Sequence, residues 1–308
     1  MKRDLLKPTA DVVFKRIFGQ EKDITIEFIN LFVDPPVPVV DITYLKQEML
    51  ADNRDGKISV VDIRCTDTNN QHFILEMQVV HHDGFLNRQL LYACKAYALQ
   101  YLSGEKYKPK HPVFLLTIID HEILPGVADW NHEFSFNHQT YPEIKVEGLS
   151  MRFIELAKRR KLDNFNMENP TDRWLKFLAE PEKLINMQKF DISVYPNLLK
   201  ATELLDRSNF TIEQQIAYDR HWFAVADINQ VRIDSYDRGH DQGIEIGEER
   251  GIKKGINIGV GKGREEGFDL TLNLIDELEQ GVQSNEELAE KYSKPLTVIE
   301  KLASKFRS

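Results

Sequence analysis

The segment Lys57–Val80, KISVVDIRCTDTNNQHFILEMQVV, carries two acids, Asp62 and Glu76, inside apolar runs of the kind that form β-strands. The polar run between them, Asp67–Gln71, consists of residues that favour turns, so the segment predicts a β-hairpin. If the turn is centred on Asn69, the residue numbers of facing pairs sum to 138, as those of Asp62 and Glu76 do. The hairpin therefore predicts two acids that lie directly opposite each other.

Two facing carboxylates are costly unless a proton or a cation offsets their charge. Directly opposed residues in antiparallel strands have Cβ atoms about 5 Å apart, and like charges there destabilise the sheet. Mg²⁺ binds through one or two carboxylates together with water and phosphate oxygens, so this pair favours a hard divalent cation. Gln78 shares the face of Glu76, because alternate residues of a strand point to the same side. From the hairpin alone, a solvent-facing strand pair whose acids simply alternate with apolar residues remains an alternative.

The composition is that of a folded, acidic protein. With 308 residues, 42% of them hydrophobic, the chain can bury at least one sizeable core. Its 49 acidic and 40 basic residues give a net charge of −9, so nucleic acid would have to bind at local basic patches. Two cysteines, Cys65 and Cys94, are too few for a disulfide framework and favour a reducing compartment. No apolar run approaches the roughly 18 residues of a membrane span, so we expect no membrane insertion and a cytoplasmic location.

The rest of the chain predicts a mixed α/β domain followed by helices. Apolar residues recur at helical spacing before and after Gly19, which indicates one or two helices that are jointed there. The continuous apolar run His111–Asp120 is typical of a strand buried on both faces. The other predicted elements are a helix over 83–104, strands at 132–139 and 148–157, and mainly helices from Asp163.

Eight glycines recur at every fourth position from Gly239 to Gly267. In an isolated helix they would cost about 8 kcal/mol relative to alanine, at about 1 kcal/mol each. We therefore expect a helix that packs closely against another chain, and predict a homodimer or higher homo-oligomer through residues 239–267. The interleaved charges exclude a membrane span, and a flexible, repeat-expanded linker is the alternative.

Two short amphipathic helices are predicted after the glycine segment. Ser284 and Glu287 have the spacing of a capping box, and a turn at Ser293–Pro295 leads to a second helix. We expect this pair to form a packing cap, and a DNA-reading helix-turn-helix is the alternative.

The residues Asp62, Glu76 and Gln78 stand in the pattern D-x(13)-E-x-Q, which resembles the motif of the PD-(D/E)XK phosphodiesterases with glutamine at the position where lysine is commoner. The opening PTADVVFKRIF (residues 8–18), the strand FILEMQVV (residues 73–80) and the following helix also match one family in order. Over nearly its whole length, including the glycine segment, the chain resembles the Rpn-type (YhgA-like) recombination-promoting nucleases and transposases of the PD-(D/E)XK class.

This resemblance implies a fold and an activity. The implied fold is a mixed-sheet, restriction-endonuclease-like α/β core flanked by helices and followed by a helical C-terminal extension. We expect a nuclease-like domain over residues 1–235, a glycine-rich oligomerisation segment over 236–270 and a C-terminal helical cap over 271–308. The implied activity is that of a DNA endonuclease, which hydrolyses phosphodiester bonds with Mg²⁺ or Mn²⁺ and acts in recombination or with mobile elements. The alternative is a catalytically weak or inactive nuclease-like module that binds nucleic acid or protein.

The resemblance also implies the residues that would hold the cation. Asp62 and Glu76 would bind it together with the main-chain carbonyl of Met77. Gln78 carries no charge and cannot act as a base, so its implied role is to orient the attacking water.

Further site residues follow from the opening helix and from basic residues along the chain. Asp11 or Glu27 would supply an additional acid, and Asp11 is favoured because it lies within the matching opening. The candidate phosphate contacts are Lys15, Arg88, Arg159 and Arg160. Each of these four is equally well explained as an ordinary surface charge.

Overall fold

The computed structural model describes residues 4–49, 59–101, 106 and 110–306. They divide into two compact units, one within Met1–Gln230 and one within Val231–Ser308. The strands are β1 (Ile42–Tyr44), β2 (Glu48–Met49), β3 (Ser59–Val60), β4 (Ile63–Asp67), β5 (His72–Gln78), β6 (Val113–Ile119), β7 (Asn131–Asn137) and β8 (Lys145–Glu155). The α-helices are α1 (Asp11–Gln20), α2 (Lys22–Phe32), α3 (Phe85–Ala98), α4 (Leu156–Leu162), α5 (Pro170–Ala179), α6 (Pro181–Ile185), α7 (Pro196–Glu203), α8 (Ile212–Gln280), α9 (Asn285–Lys291) and α10 (Leu296–Phe306).

A six-stranded mixed sheet in the order β1-β4-β5-β6-β8-β7 forms the centre of the first unit. The strands β5, β6 and β8 are parallel to one another, whereas β1, β4 and β7 join by antiparallel pairing. The strand β6, predicted to be buried on both faces, lies between two parallel neighbours, as its continuous apolar sequence requires. The mixed α/β fold class is therefore confirmed.

The β4–β5 hairpin has the predicted register. Ile63 pairs with Leu75 and Thr66 with His72, so the facing residue numbers sum to 138. The turn is held by Asp67, whose Oδ1 accepts hydrogen bonds from the backbone N–H groups of Asn69 at 2.9 Å and Gln71 at 2.8 Å. The side chain of Asp67 thus fixes the turn, and through it the pairing of the two strands.

The first side of the hairpin is shorter than the apolar run that predicts it. Lys57 and Ile58 of that run lie outside the described residues. Within the described part, β3 pairs with β2 in a separate two-stranded sheet, and β4 begins only at Ile63. Two hydrogen bonds to Gln47 separate β3 from β4. The N–H of Val61 donates to the carbonyl of Gln47, and the side-chain amide of Gln47 donates to the carbonyl of Asp62.

Helices cover both faces of the sheet. One face carries Phe73, Leu75 and Met77 of β5 and packs against α1, α2, α5 and α7, where Phe18 and Trp174 lie in one aromatic cluster. The other face packs against α3 in a second cluster of buried residues. The predicted joint between the first two helices falls at Glu21, two residues after Gly19, where the backbone is extended. The α1 helix is thereby held over the end of the hairpin.

The C-terminal part contains the predicted helices. The glycine segment lies within α8, a single helix of 69 residues, so its predicted helical structure is confirmed, while self-association through it stays a prediction. Among the described residues, a Cβ added at any glycine from Gly239 to Gly267 would meet no atom within 4 Å apart from the neighbouring backbone of its own helix. Ser284 and Glu287 form both hydrogen bonds of the capping box. The end of α8 packs with α9 and α10 through Leu274, Leu278, Leu288, Ile299 and Ala303, and the choice between a packing cap and a helix-turn-helix stays open. None of the described helices combines the length and apolar character that crossing a membrane requires.

Candidate active site

The two acids of the opening motif meet at the end of the hairpin. Asp62 directly precedes β4 and Glu76 lies near the end of β5, in line with the register of the strands. The N–H of Asp62 donates a hydrogen bond to Oε1 of Glu76 at 2.9 Å. The N–H of Met77 donates to Oδ2 of Asp62 at 2.8 Å. Each carboxylate thus accepts a hydrogen bond from a backbone amide on the other side of the hairpin, which ties the two acids to each other.

Both carboxylates are largely withdrawn from water. The side chain of Asp62 is 16% exposed, and Glu76 is 3% exposed. Burial raises the pKa of Asp62 to about 6, although the hydrogen bond from Met77 and the charge of Lys15 act in the opposite direction. Burial, followed by repulsion from Asp62, raises the pKa of Glu76 to about 8. Two ionised acids are therefore unfavourable here until a cation joins them.

Lys15 and Asp11 extend the site from α1. The Nζ atom of Lys15 lies 2.7 Å from Oδ1 of Asp11 and 3.4 Å from Oδ1 of Asp62. Burial acts to lower the pKa of Lys15, but its hydrogen bond to Asp11 and the charge of Asp62 raise the pKa overall. Lys15 is thus a permanent ammonium beside Asp62, and it links the predicted acid Asp11 to the pair.

Gln78 and Arg88 lie on the other side of the pair. Gln78 donates from Nε2 to Oε2 of Glu76 at 3.2 Å, and its Oε1 accepts from Nη2 of Arg88 at 2.6 Å. The charge of Arg88 also favours the ionised form of Glu76. The structure therefore joins six of the predicted residues by successive contacts, namely Asp11, Lys15, Asp62, Glu76, Gln78 and Arg88.

Three further side chains lie around the site and were not predicted from the sequence, namely Thr117, Gln89 and Tyr92. Thr117 of β6 pairs with Glu76 in the sheet and donates to Oε1 of the buried Gln89 at 3.0 Å. Burial, followed by repulsion from Glu76, raises the pKa of Tyr92. Tyr92 stands four residues after Arg88, so helical spacing alone would have placed both on one face of α3.

The donor set around the two acids fits a hard divalent cation. In a β-strand, the N–H and C=O groups of one residue point toward the same neighbouring strand, and those of the next residue point the opposite way. Gln78 accepts from the N–H of Asp120, so it faces β6, and the preceding residue Met77 faces Asp62 with both backbone groups. Asp62, Glu76 and the Met77 carbonyl thus offer oxygen atoms of the kind that Mg²⁺ and Mn²⁺ prefer as ligands. Among the described residues no group of three or more acidic, histidine or cysteine side chains is placed to hold a metal ion, so water or substrate oxygens would complete this set.

Two of the predicted phosphate contacts have other partners. Arg159 is 3% exposed, donates to Oδ1 of Asp172 at 2.9 Å and lies 4.0 Å from the ring centre of Phe165. Its guanidinium joins α4 to α5 in the core, which speaks against the predicted contact with DNA. Arg160 is ion-paired with Asp120 at the wall of a cleft of about 280 Å³.

Glu27, the less favoured candidate for the additional acid, also has a structural role. Its Oε1 accepts from Nε1 of Trp174 at 2.8 Å, and its Oε2 accepts from Nδ2 of Asn197 at 2.6 Å. The carboxylate thereby joins α2 to α5 and α7. The preference for Asp11 agrees with this arrangement.

Comparison with known proteins gives the same family as the motif. The family model described as PD-(D/E)XK nuclease family transposase matches residues 8–233, which include the helix α1, the hairpin, α3 and every residue of the site. Searches of the curated proteins and of the solved structures find no significant match. The resemblance drawn from the sequence is thus confirmed, and the chain belongs to the family of PD-(D/E)XK nuclease transposases.

Proposed function

We propose that the protein is a metal-dependent DNA endonuclease that hydrolyses phosphodiester bonds with Mg²⁺ or Mn²⁺. The observation that carries this proposal is the interlocked pair of Asp62 and Glu76, two largely buried carboxylates with raised pKa values that a divalent cation would allow to ionise together. Membership of a nuclease family makes DNA the expected substrate. A divalent cation bound by this pair and the Met77 carbonyl would acidify a water molecule and offset negative charge on the scissile phosphate.

The side chains around the pair have separate roles in this proposal. Lys15 keeps Asp62 ionised, because its ammonium lies 3.4 Å from the carboxylate. Gln78 orients the attacking water with an amide that is itself held between Glu76 and Arg88. Asp11 holds Lys15 in position through their 2.7 Å ion pair. None of these roles requires Gln78 to carry charge or accept a proton.

A nuclease-like binding module with weak or no catalysis is the second candidate. It is favoured by the neutral Gln78 at the position where lysine is commoner, and by the net charge of −9, which weakens general attraction to DNA. In this case the same fold would bind nucleic acid or protein. Action in recombination or with mobile elements, and a cytoplasmic location, are further parts of the proposal that rest on the family and on the cysteine content.

We also propose that two copies associate through α8. The glycine segment exposes Ile252, Ile256 and other apolar residues along its length. Residues 237–249 carry five acids and one base, whereas residues 250–264 carry five bases and no acid. Two antiparallel copies would place each acidic block beside a basic one, whereas a parallel pair would oppose like charges. Two sites in one assembly would suit the cleavage of both strands of a duplex.

Cleavage of a supercoiled plasmid tests the nuclease proposal. We expect the wild type to nick or linearise DNA in Mg²⁺ and to be inactive in EDTA, and Asp62→Ala and Glu76→Ala to be inactive. Asp83→Ala, an exposed acid five residues after Gln78, is the matched control and should cut as the wild type does. If the two site variants cut as well as the control, the assignment is wrong. If the wild type cuts with neither metal but binds DNA, the binding module is the correct function.

A further inference from the structure

The neutral side chain at position 78 leaves the proposed site with unbalanced charge. Against the two positive charges of the proposed cation, a phosphodiester adds a third negative charge to those of Asp62 and Glu76, and more charge develops on its oxygens during cleavage. Gln78 contacts Glu76 directly but contributes no positive charge. Lys15 offers an ammonium on the Asp62 side, yet it is already shared between Asp62 and Asp11.

Arg88 differs from the other basic side chains around the site. In the part of the chain that the structure describes, it forms no ion pair with a carboxylate, whereas Arg160 pairs with Asp120 and Lys15 with two acids. Its Nη2 donates to Gln78, and among the described residues its buried Nε has no hydrogen-bond partner. The guanidinium carbon lies 5.9 Å from the ring centre of Phe85, which helps to hold the side chain over the start of α3.

The position of Arg88 is set by the fold rather than by a surface rotamer. Its only polar side-chain partner among the described residues is the amide oxygen of Gln78, and Gln78 is in turn bonded to Glu76. Arg64 likewise has no ion-pair partner among the described residues, but the attraction felt by Glu76 comes from Arg88 and Lys15. Arg88 is thus a partly buried cation that forms no ion pair among the described residues, and Gln78 tethers it beside the acid pair while leaving other Nη donors unused.

We propose that Arg88 supplies from α3 the positive charge that Gln78 lacks, and that it binds the scissile phosphate through the guanidinium donors that Gln78 does not use. This inference rests on the proposed function, since it assigns the substrate phosphate of the same site. Arginine suits the role because its planar fork matches two phosphate oxygens while one nitrogen stays bonded to Gln78.

DNA binding in EDTA tests the phosphate contact without any catalysis. The association constant of a short duplex is measured by fluorescence anisotropy at several salt concentrations, because each phosphate contact adds about 0.9 to the slope of log K against log salt. We expect Arg88→Ala to reduce this slope by about 0.9 and Arg88→Lys to retain it. The matched control is Arg173→Ala, which removes a partly buried arginine bonded to the carbonyls of Met167 and Glu168 and should leave the slope unchanged.

A second-site rescue separates charge from structure. In Mg²⁺ we expect Arg88→Ala to lower kcat about 10²-fold to 10³-fold with a smaller effect on KM, as for loss of a donor to a developing anion. Gln78→Lys placed in the Arg88→Ala background restores the missing charge from the strand, and we expect it to recover the salt slope and at least about tenfold of kcat.

The inference is overturned if Arg88→Ala has the same salt slope as the wild type. It is also overturned if Arg88→Ala has a reduced slope and the double variant with Gln78→Lys does not recover it. A wild type that binds DNA but never cuts it would contradict the proposed endonuclease, while the slopes would still decide the role of Arg88.

Discussion

Replacing Glu76 by glutamine should make the metal-free protein more stable at alkaline pH. The folded protein raises the pKa of Glu76 from its ordinary value of 4.5 to about 8, first through burial and then through repulsion from Asp62. Between pH 4.5 and about 8, the unfolded chain has lost the proton of Glu76, whereas the folded chain keeps it. The free energy of unfolding of the wild type must therefore fall as pH rises through this range. Glutamine does not titrate, so this loss is absent from the variant.

The size of the effect follows from the same shift. One pKa unit corresponds to about 1.4 kcal/mol, which sets an upper limit of about 5 kcal/mol on the cost of ionising Glu76 in the folded state. Two effects reduce the gain. Asp62 shares the repulsion, and the amide at position 76 forfeits the hydrogen bond from Gln78, worth about 1 kcal/mol. We expect Glu76→Gln to add about 2 kcal/mol to the free energy of unfolding at pH 8 and almost nothing at pH 5.

Urea unfolding in EDTA, followed by tryptophan fluorescence, measures this difference. Trp130, Trp174 and Trp222 all lie within Met1–Gln230, so the signal reports the unit that holds the site. The control is Glu122→Gln, because the salt bridge from Lys161 lowers the pKa of the partly exposed Glu122. If the wild type and Glu76→Gln lose stability in parallel between pH 5 and 8, the acid pair is not strained in the way the structure indicates.

Three further predictions concern the cation, the turn and the long helix. Mg²⁺ binding at pH 7 should release protons and tighten as pH rises from 6 to 8, because ligation requires both acids to be ionised. Titration calorimetry in buffers of different ionisation enthalpy measures the proton release, and Mg²⁺ binding without it would contradict the prediction. Asp67→Ala should lower the free energy of unfolding by about 2 kcal/mol, since two backbone N–H groups lose their acceptor, and an unchanged urea midpoint would show that other contacts set the turn. The double variant Lys253→Glu with Lys254→Glu should have a lower mass by light scattering, and adding Glu248→Lys with Glu249→Lys should restore the wild-type mass. A wild-type mass for the first double variant would contradict the antiparallel association.

The hairpin could be predicted in detail because its determinants are local. Asp67–Gln71 is a turn that one carboxylate organises, and the turn fixes the register that opposes Asp62 to Glu76. The capping box of Ser284 and Glu287 is local in the same sense. Where three to five neighbouring residues determine the geometry, their order in the sequence is enough.

The parts that sequence reasoning missed depend on contacts between distant segments. The first strand breaks before Ile63 because Gln47 bonds Asp62 and Val61 from a loop fifteen residues away. Arg159 lies in a basic run that looks exposed, yet its partner Asp172 belongs to another helix and buries it. The placement of Arg88 at Gln78 likewise needs the packing of α3 on the sheet. No pattern within one element predicts contacts of this kind.

Single-turnover cleavage of a supercoiled plasmid by Glu76→Gln tests the central claim most directly, because this variant separates stability from chemistry. The carboxylate of Glu76 destabilises the metal-free protein and is required to hold the cation in the proposed site. We expect Glu76→Gln to be as well folded as the wild type, more stable at pH 8, and at least about 10³-fold slower in Mg²⁺. Cleavage by Glu76→Gln at the wild-type rate, with the same dependence on Mg²⁺, would contradict the assignment of the acid pair as the metal site of a nuclease.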